Sequence, residues 1–293
     1  MEALEYNYIK QEVLKLTGVD LNAYKSQQMQ RRLNAYLLRS EYSTWPDYFR
    51  FARNNLTELS KLKDYLTINV TSFFRDRDRF EYLRQVILPE LLRTQSQLRV
   101  WSAGCSRGHE PYSLAILLAE ATGPYRHHQI IATDIDRSVL ELAKAGGPFS
   151  KEELVNLSAP LIQRYFRLHQ DSYYVSEKLW EQVTFLEHNL LTFSFPALTN
   201  GKSIPQLAQR GFDLIVCRNV VIYFTTEVKD QLYQHFYDML RPGGILFVGG
   251  TEIVSKASNI GFETAGISFY RRNGLEKSFS PGSSSVKRGI LGG

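Results

Sequence analysis

From residue 98 onward the chain is broken into short, almost wholly apolar runs, each separated from the next by a longer stretch with helical spacing. The runs fall at 98–103, Gln129–Asp134, Val183–Glu187, Phe212–Cys217 and 245–249. A strand with one wet face alternates apolar and polar residues, whereas a strand apolar throughout must be covered on both sides, as in a parallel sheet flanked by helices. Amphipathic stretches near 110–121, 137–145 and 226–240 supply the covering helices. The alternation predicts an α/β domain with a doubly wound, mostly parallel sheet whose ligand sits at the carboxyl ends of the strands. The stretch 262–271 is expected to add a strand pair at the sheet edge.

Residues 1–68 follow a different rule. Apolar residues recur there at three- and four-residue spacing, as with Val13 and Leu16 or Leu33 and Leu37, so a small all-α N-terminal domain is expected. Gly18 ends the first helix, Asp20 can cap the next, and Ser43 or Thr44 precedes Trp45-Pro46, where proline suits the first helical turn. Such short helices should need a larger body to dock on. Residues 69–75 are assigned as a linker that contributes to the site, and residues 76–274 as the α/β domain. Within the latter, 147–180 interrupts the helix-to-strand rhythm and carries a β-like piece at Ser172–Val175, which reads as a small inserted β subdomain. A surface loop is expected at 200–209 and a disordered tail at 275–293, whose serine- and glycine-rich composition suits a linker.

Composition narrows the possibilities. No apolar run approaches the roughly 20 residues of a membrane helix, and the first residues carry acids and no small-residue cleavage site, so a soluble cytoplasmic protein is expected. Cys105 and Cys217 sit in apolar surroundings and are expected to be free thiols. The six histidines fall in no ligand spacing, which leaves no expected metal site. A net charge of +5 admits nucleic acid, an anionic membrane surface or an acidic protein as partner, and charge alone does not choose. Much of the excess lies in the tail and between Lys25 and Arg39.

The first apolar run leads into Ser102, Ala103, Gly104, Cys105, Ser106, Arg107 and Gly108, a small-residue loop opening a helix at Glu110-Pro111. Such a loop lets a ligand approach the backbone and presents donors at a helix N-terminus. Asp134 ends the second run, about 20 residues or so beyond, where this topology accepts hydrogen bonds from ribose hydroxyls. Asp136 is left to cap the following helix. Loop and acid together indicate a nucleoside-bearing cofactor. Glu110 has a reason to be there if that cofactor carries an ammonium group and a sulfonium, although a first-turn acid also suits the helix dipole.

Four strings then spell a family: Asn69 to Arg75 (Asn-Val-Thr-Ser-Phe-Phe-Arg), Ala103 to Ser106 with Gly108 to Ser113, Thr133 to Asp136, and Cys217 to Phe224. In this order they resemble the chemotaxis receptor (CheR-type) protein-glutamate O-methyltransferases, from about residue 5 to residue 272. The resemblance implies S-adenosylmethionine as cofactor, with S-adenosylhomocysteine as product. Asn69, Thr71 and Arg75 would reach the cofactor, Arg75 near its carboxylate. Gly104 belongs to the loop, Glu110 would hold the amino group and Asp134 the ribose. Asn189 and Leu190 match positions beside the adenine, Cys217, Arg218 and Asn219 end the fourth strand at the same pocket, and Tyr223 is similar to a tyrosine near the transferred methyl. Less specific readings stand beside these: Asn69 and Thr71 as helix caps, Tyr223 as core, Arg75 paired with Asp76 or Asp78.

The implied reaction is displacement at the sulfonium methyl by a glutamate carboxylate of a chemoreceptor cytoplasmic helix. That nucleophile is already ionised near neutral pH, so no general base is required, and Arg75 and Tyr223 are the candidates for orienting it. The basic helix from Lys25 to Arg39 resembles the family surface that meets acidic receptor helices. His109 stands where many relatives have a second acid. Residues 167–174 lack the glycine-bearing insertion of members that grip a receptor tether, which implies a tether-independent member. No aromatic-interleaved basic stripe suggests nucleic acid. Two other readings remain open: a methyltransferase acting on RNA or a small molecule, and a cofactor-binding regulatory module without turnover.

Overall fold

The computed structural model describes residues 1–67, 69–123, 126–194 and 210–274. The loop expected at 200–209 and the tail at 275–293 lie outside the described residues. The N-terminal region is helical: α1 (Ala3–Thr17), α2 (Ser26–Arg39), α3 (Trp45–Ala52) and α4 (Leu56–Thr67). Gly18 closes α1 in a left-handed conformation (φ 74°) and Thr44 caps α3 by accepting from the Asp47 amide, as the spacing suggests. Asp20 instead caps a single 3-10 turn, Leu21–Ala23, and Lys25 takes the N-cap position of α2. These helices surround an apolar cluster of their own, with Trp45, Tyr48, Phe49, Ile9, Val13 and Leu33 fully buried. Aromatic bulk gives four short helices a core that their length alone did not suggest.

After α5 (Arg77–Tyr82) and α6 (Leu88–Thr94), strand and helix alternate: β1 (Arg99–Ala103), α7 (His109–Thr122), β2 (Gln129–Asp134) and α8 (Arg137–Lys144). An insertion follows, comprising α9 (Ala159–Tyr165), the antiparallel pair β3 (Phe166–His169) and β4 (Ser172–Val175), and α10 (Glu177–Trp180). The main sheet resumes with β5 (Val183–Glu187) and β6 (Phe212–Cys217), then α11 (Thr226–Met239), β7 (Leu240–Val248), α12 (Ala257–Ile260), β8 (Phe262–Gly266) and β9 (Phe269–Arg272). Its order is β5-β2-β1-β6-β7-β9-β8, parallel from β5 to β7 and antiparallel at β9 and β8. The fold is therefore the doubly wound, mostly parallel one expected, with the strand pair at its edge.

One boundary differs. The apolar run read at 245–249 is only the second part of β7, which begins at Leu240 and pairs Leu240 with Phe212 before an irregularity restores the register at Leu214 and Ile245. Gly244 permits this, since a Cβ there would lie 2.8 Å from the Phe212 carbonyl oxygen. The sheet is covered on both faces: Leu214, Val216, Ile130 and Ala132 pack into one cluster with α7, and Ile215, Cys217, Ile131 and Trp101 into another with α11. The strand order switches direction at β1, between its parallel neighbours β2 and β6, which opens a crevice at their carboxyl ends.

Candidate functional site

A cleft of about 990 Å³, part of it open to solvent, lies at that crevice. Strand ends form one wall, and the linker 69–75 with the chain just before α2 forms the other. Gly104 leaves β1 with φ 82°, and a Cβ there would sit 2.5 Å from Val220 Cγ2, so the approach demands glycine. The amides of Gly104 and Cys105 both donate to the Thr133 carbonyl, at 2.8 and 2.9 Å, which clamps the loop to the end of β2. The next amide, that of Ser106, donates to Asp134 Oδ2 at 2.8 Å, and Asp136 donates its amide to Oδ1 at 3.0 Å. Each carboxylate oxygen keeps a second lone pair, so Asp134 is held rigidly and still accepts from a ligand. Burial pushes its carboxyl above the usual range, an effect the backbone donors only partly offset.

Glu110 stands in the first turn of α7. Its Oε1 accepts from Ser102 Oγ at 2.7 Å and its Oε2 from Arg218 Nη1 at 3.4 Å. Burial raises this carboxyl too, with Arg218 pulling it down. A cationic ligand group beside Glu110 would favour the ionised form further. Arg218, at the end of β6, is nearly buried and lies over the rings of Phe80 and Phe247, 5.1 and 4.9 Å from their centroids. Its Nη2 donates to the Arg75 carbonyl and to Asp76 Oδ2, both at 2.6 Å. Arg218 is thus a strut that ties the strand-end wall to the linker wall as well as a lining residue.

Arg75 itself donates from Nη1 to the Val70 carbonyl at 2.9 Å and has no ion pair among the described residues. It pairs with neither Asp76 nor Asp78 among the described residues, and Asp76 is engaged by Arg218. Asn69 caps no helix: its amide donates to Asp136 Oδ2 at 2.8 Å and its Oδ1 faces Ser106 Oγ at 3.3 Å, which stitches linker to loop. Asn189 accepts from the Leu191 amide at 3.0 Å and presents Leu190 to the cleft. Thr71, Asn219 and Tyr223 also line it.

Cys217 does not reach the cleft. It is fully buried in the cluster under α11, and burial pushes its thiol well up. Two contributors were missed in the sequence. Glu252, just beyond β7, accepts at Oε2 from the amides of Asn219 (3.0 Å) and Gly249 (2.6 Å), and so supports the left-handed Asn219 (φ 60°) beneath the pocket. An acid directly after Gly249-Gly250-Thr251 was the available signal. Tyr24 closes the other side, and nothing in the residue types around it marked it out. Ser106 (φ 48°) and Asn219 are non-glycine residues in left-handed conformations at the cleft, the kind of local strain that concentrates at functional sites. Among the described residues, no group of three or more His, Cys, Asp or Glu side chains could hold a metal, and no helix is long and apolar enough to cross a membrane.

Comparison with known proteins covers both the helical region and the α/β domain. Residues 69–270 match the family model described as CheR methyltransferase, SAM binding domain, and residues 4–67 match CheR methyltransferase, all-alpha domain. The chain is similar to a chemotaxis protein methyltransferase of Listeria monocytogenes, 38% identical over 91% of this chain and 96% of the relative. It is also similar to the chemotaxis protein methyltransferase of Borreliella burgdorferi, at 31% identity over 88% and 93%, and to chemotaxis protein methyltransferase 2 of Pseudomonas aeruginosa, at 32% over 87% and 89%.

Proposed function

The chain belongs to the CheR methyltransferase family, with S-adenosylmethionine as cofactor, and from that membership we propose that it methylates glutamate side chains on the cytoplasmic helices of chemoreceptors. The observation that carries this reading is the charge distribution around one cleft: buried carboxylates, Glu110 and Asp134, on the strand-end wall, and on the linker a cation, Arg75, without an ion-pair partner among the described residues. Carboxylates suit the ammonium and ribose of the cofactor. A spare guanidinium suits a carboxylate.

When bound, the cofactor supplies an electrophilic sulfonium methyl. Asp134 would hold its ribose hydroxyls and Glu110 its amino group. Gly104 lets the ligand approach the backbone, while Asn69, Thr71, Asn189, Leu190, Arg218 and Asn219 complete the walls. Arg75 and Tyr223, which both line the cleft, would orient the partners for transfer, Arg75 by pairing with the cofactor carboxylate. An ionised glutamate needs no base, so rate comes from alignment and from exclusion of water. The exposed cations Arg31 and Arg39 on α2, with Lys25 at its N-cap, give an acidic receptor helix a surface to meet. In the insertion, β3 and β4 are joined by only Gln170 and Asp171, both with positive φ, a turn too short to add a tether-binding loop. We therefore include tether independence and action in the cytoplasm in the proposal.

Incubation of the protein with methyl-labelled cofactor and a chemoreceptor cytoplasmic fragment should give base-labile label on glutamate. The Arg75→Ala variant should bind S-adenosylhomocysteine more weakly and lose about a hundredfold or more in turnover, with circular dichroism unchanged. Label on RNA, or cofactor binding with no transfer to any receptor fragment, would replace this reading.

A further inference from the structure

A second, smaller cavity of about 200 Å³ adjoins the cofactor cleft. The two share three lining residues, Tyr24, Leu66 and Tyr223, and the smaller cavity is otherwise bounded by the start of α2, with Lys25, Gln28 and Arg32. Tyr24 is fixed in this partition from two sides. Its backbone forms an antiparallel bridge with Phe224, flanked by the Lys25 amide donating to the Tyr223 carbonyl and the Thr225 amide donating to the Ala23 carbonyl, both at 2.9 Å. Its ring meets Phe224 edge to face, centroids 5.0 Å apart. Backbone and ring are thus held, while the hydroxyl has no hydrogen-bond partner among the described residues. A phenol that is held this firmly in the lining of the cleft, with a hydroxyl that no protein group engages among the described residues, is placed to donate to a ligand.

We infer that Tyr24 orients the acceptor: its hydroxyl donates to the non-attacking oxygen of the incoming glutamate carboxylate, at the partition between the cofactor cleft and the cavity under α2. This deepens the function proposed above and rests on it. The step balances without a proton. One carboxylate oxygen forms the new bond to the methyl carbon, the sulfur–methyl bond breaks, and its electron pair returns to sulfur. Tyr24 keeps its hydrogen throughout, because burial, with Asp134 and Asp20 nearby, pushes its ionisation up to about 12. A neutral donor fixes the rotation of the carboxylate without pairing off its charge, as a guanidinium would, and so leaves the attacking oxygen nucleophilic. The placement also explains why the donor comes from the residue next to α2: the surface that meets the receptor helix and the group that aims its side chain are consecutive in the chain.

Tyr24→Phe keeps the ring and the Phe224 contact and removes only the hydroxyl, and Tyr24→Leu removes both. Tyr24→Phe should raise KM for a chemoreceptor cytoplasmic fragment about tenfold or more, the usual range for losing a hydrogen bond to a charged group. Calorimetric affinity for S-adenosylhomocysteine and the melting temperature should stay at wild-type values. Binding of the fragment to the S-adenosylhomocysteine complex, measured by fluorescence anisotropy without any turnover, should weaken by the same factor. Wild-type KM and fragment affinity in Tyr24→Phe would overturn the assignment, and weakened S-adenosylhomocysteine binding with unchanged fragment affinity would move the hydroxyl to the ribose and overturn it too. Failure of the wild-type protein to esterify any receptor fragment would remove the proposed function itself, and this role with it, a result the variant comparison cannot mimic.

Discussion

The two walls of the cleft are built by different means. On the strand-end wall, backbone groups do most of the holding: Asp134 is fixed by the amides of Ser106 and Asp136, Glu252 by those of Asn219 and Gly249, and the loop itself by the Thr133 carbonyl, while Glu110 is held by the side chains of Ser102 and Arg218. On the linker wall, side chains hold side chains: Asn69 to Asp136, Arg218 to Asp76, and Asp64 through Ser138 to Asp136. A wall anchored to parallel strands moves only if the sheet does, whereas a wall held by side chains between two regions can shift when one of them changes charge or partner. In the function proposed above, the first holds the ribose and amino group of the cofactor, and the second adds Arg75 for its carboxylate. The acceptor, in the proposal above, is met by the second.

Arg218 is the cation that ties the two walls together, so its loss should erase the distinction. Arg218→Ala removes a nearly buried guanidinium that neutralises Glu110 and fixes the 75–76 backbone. Leaving Glu110 buried without its partner should cost about 3–5 kcal/mol of stability, read by chemical denaturation. Cofactor affinity and turnover should fall together. A variant that loses turnover while retaining full stability would mean that Arg218 is a ligand contact and no strut.

Asp134→Asn sharpens the contrast from the strand-end side. An amide offers one acceptor oxygen where two backbone N–H groups now each find one, so one donor would face an NH₂ group. The expected loss is about 1–3 kcal/mol of stability, together with weaker binding of S-adenosylhomocysteine by calorimetry. Equal affinity would place the ribose elsewhere and leave Asp134 as a purely structural clamp of the loop.

How much of this the sequence disclosed follows from the same division. Strand ends announce themselves: fully apolar runs, a small-residue loop and an acid at the tip of β2 placed Gly104, Glu110 and Asp134 before any coordinates. Cys217 shows the limit. Because β6 is buried on both faces, its sequence carries no alternation to tell which way the last residue points, and Cys217 turns to the α11 side. The linker wall was visible only through family resemblance, since contacts such as Arg218 to Asp76, 142 positions apart, leave no local pattern. Tyr24 left none either: a tyrosine before a helix is ordinary until the chain folds Phe224 against it.

The smallest expected effect tests whether the side-chain wall responds to charge. Asp64 at the end of α4 and Asp136 at the start of α8 share the hydroxyl of Ser138, whose Oγ lies 2.8 and 2.7 Å from their carboxylate oxygens and whose single hydrogen serves one of them at a time. Burial, with Asp136 alongside, pushes the Asp64 carboxyl up to about 6, while Asp136 is drawn down by its donors. Lys63 is the nearby cation and only partly counters this. The folded protein therefore keeps a proton on Asp64 that the unfolded chain releases near pH 4, so this site costs stability progressively from there to about pH 6 and fully above it. Asp64→Asn preserves an acceptor for Ser138 and removes the penalty. Its melting temperature should match the parent near pH 4 and exceed it above pH 6, by an amount equivalent to about 1 kcal/mol or less once solvent screening of a half-exposed group is allowed for. A difference that is constant with pH would show that the two regions are joined here by packing alone, and that the linker wall is as indifferent to charge as the strands facing it.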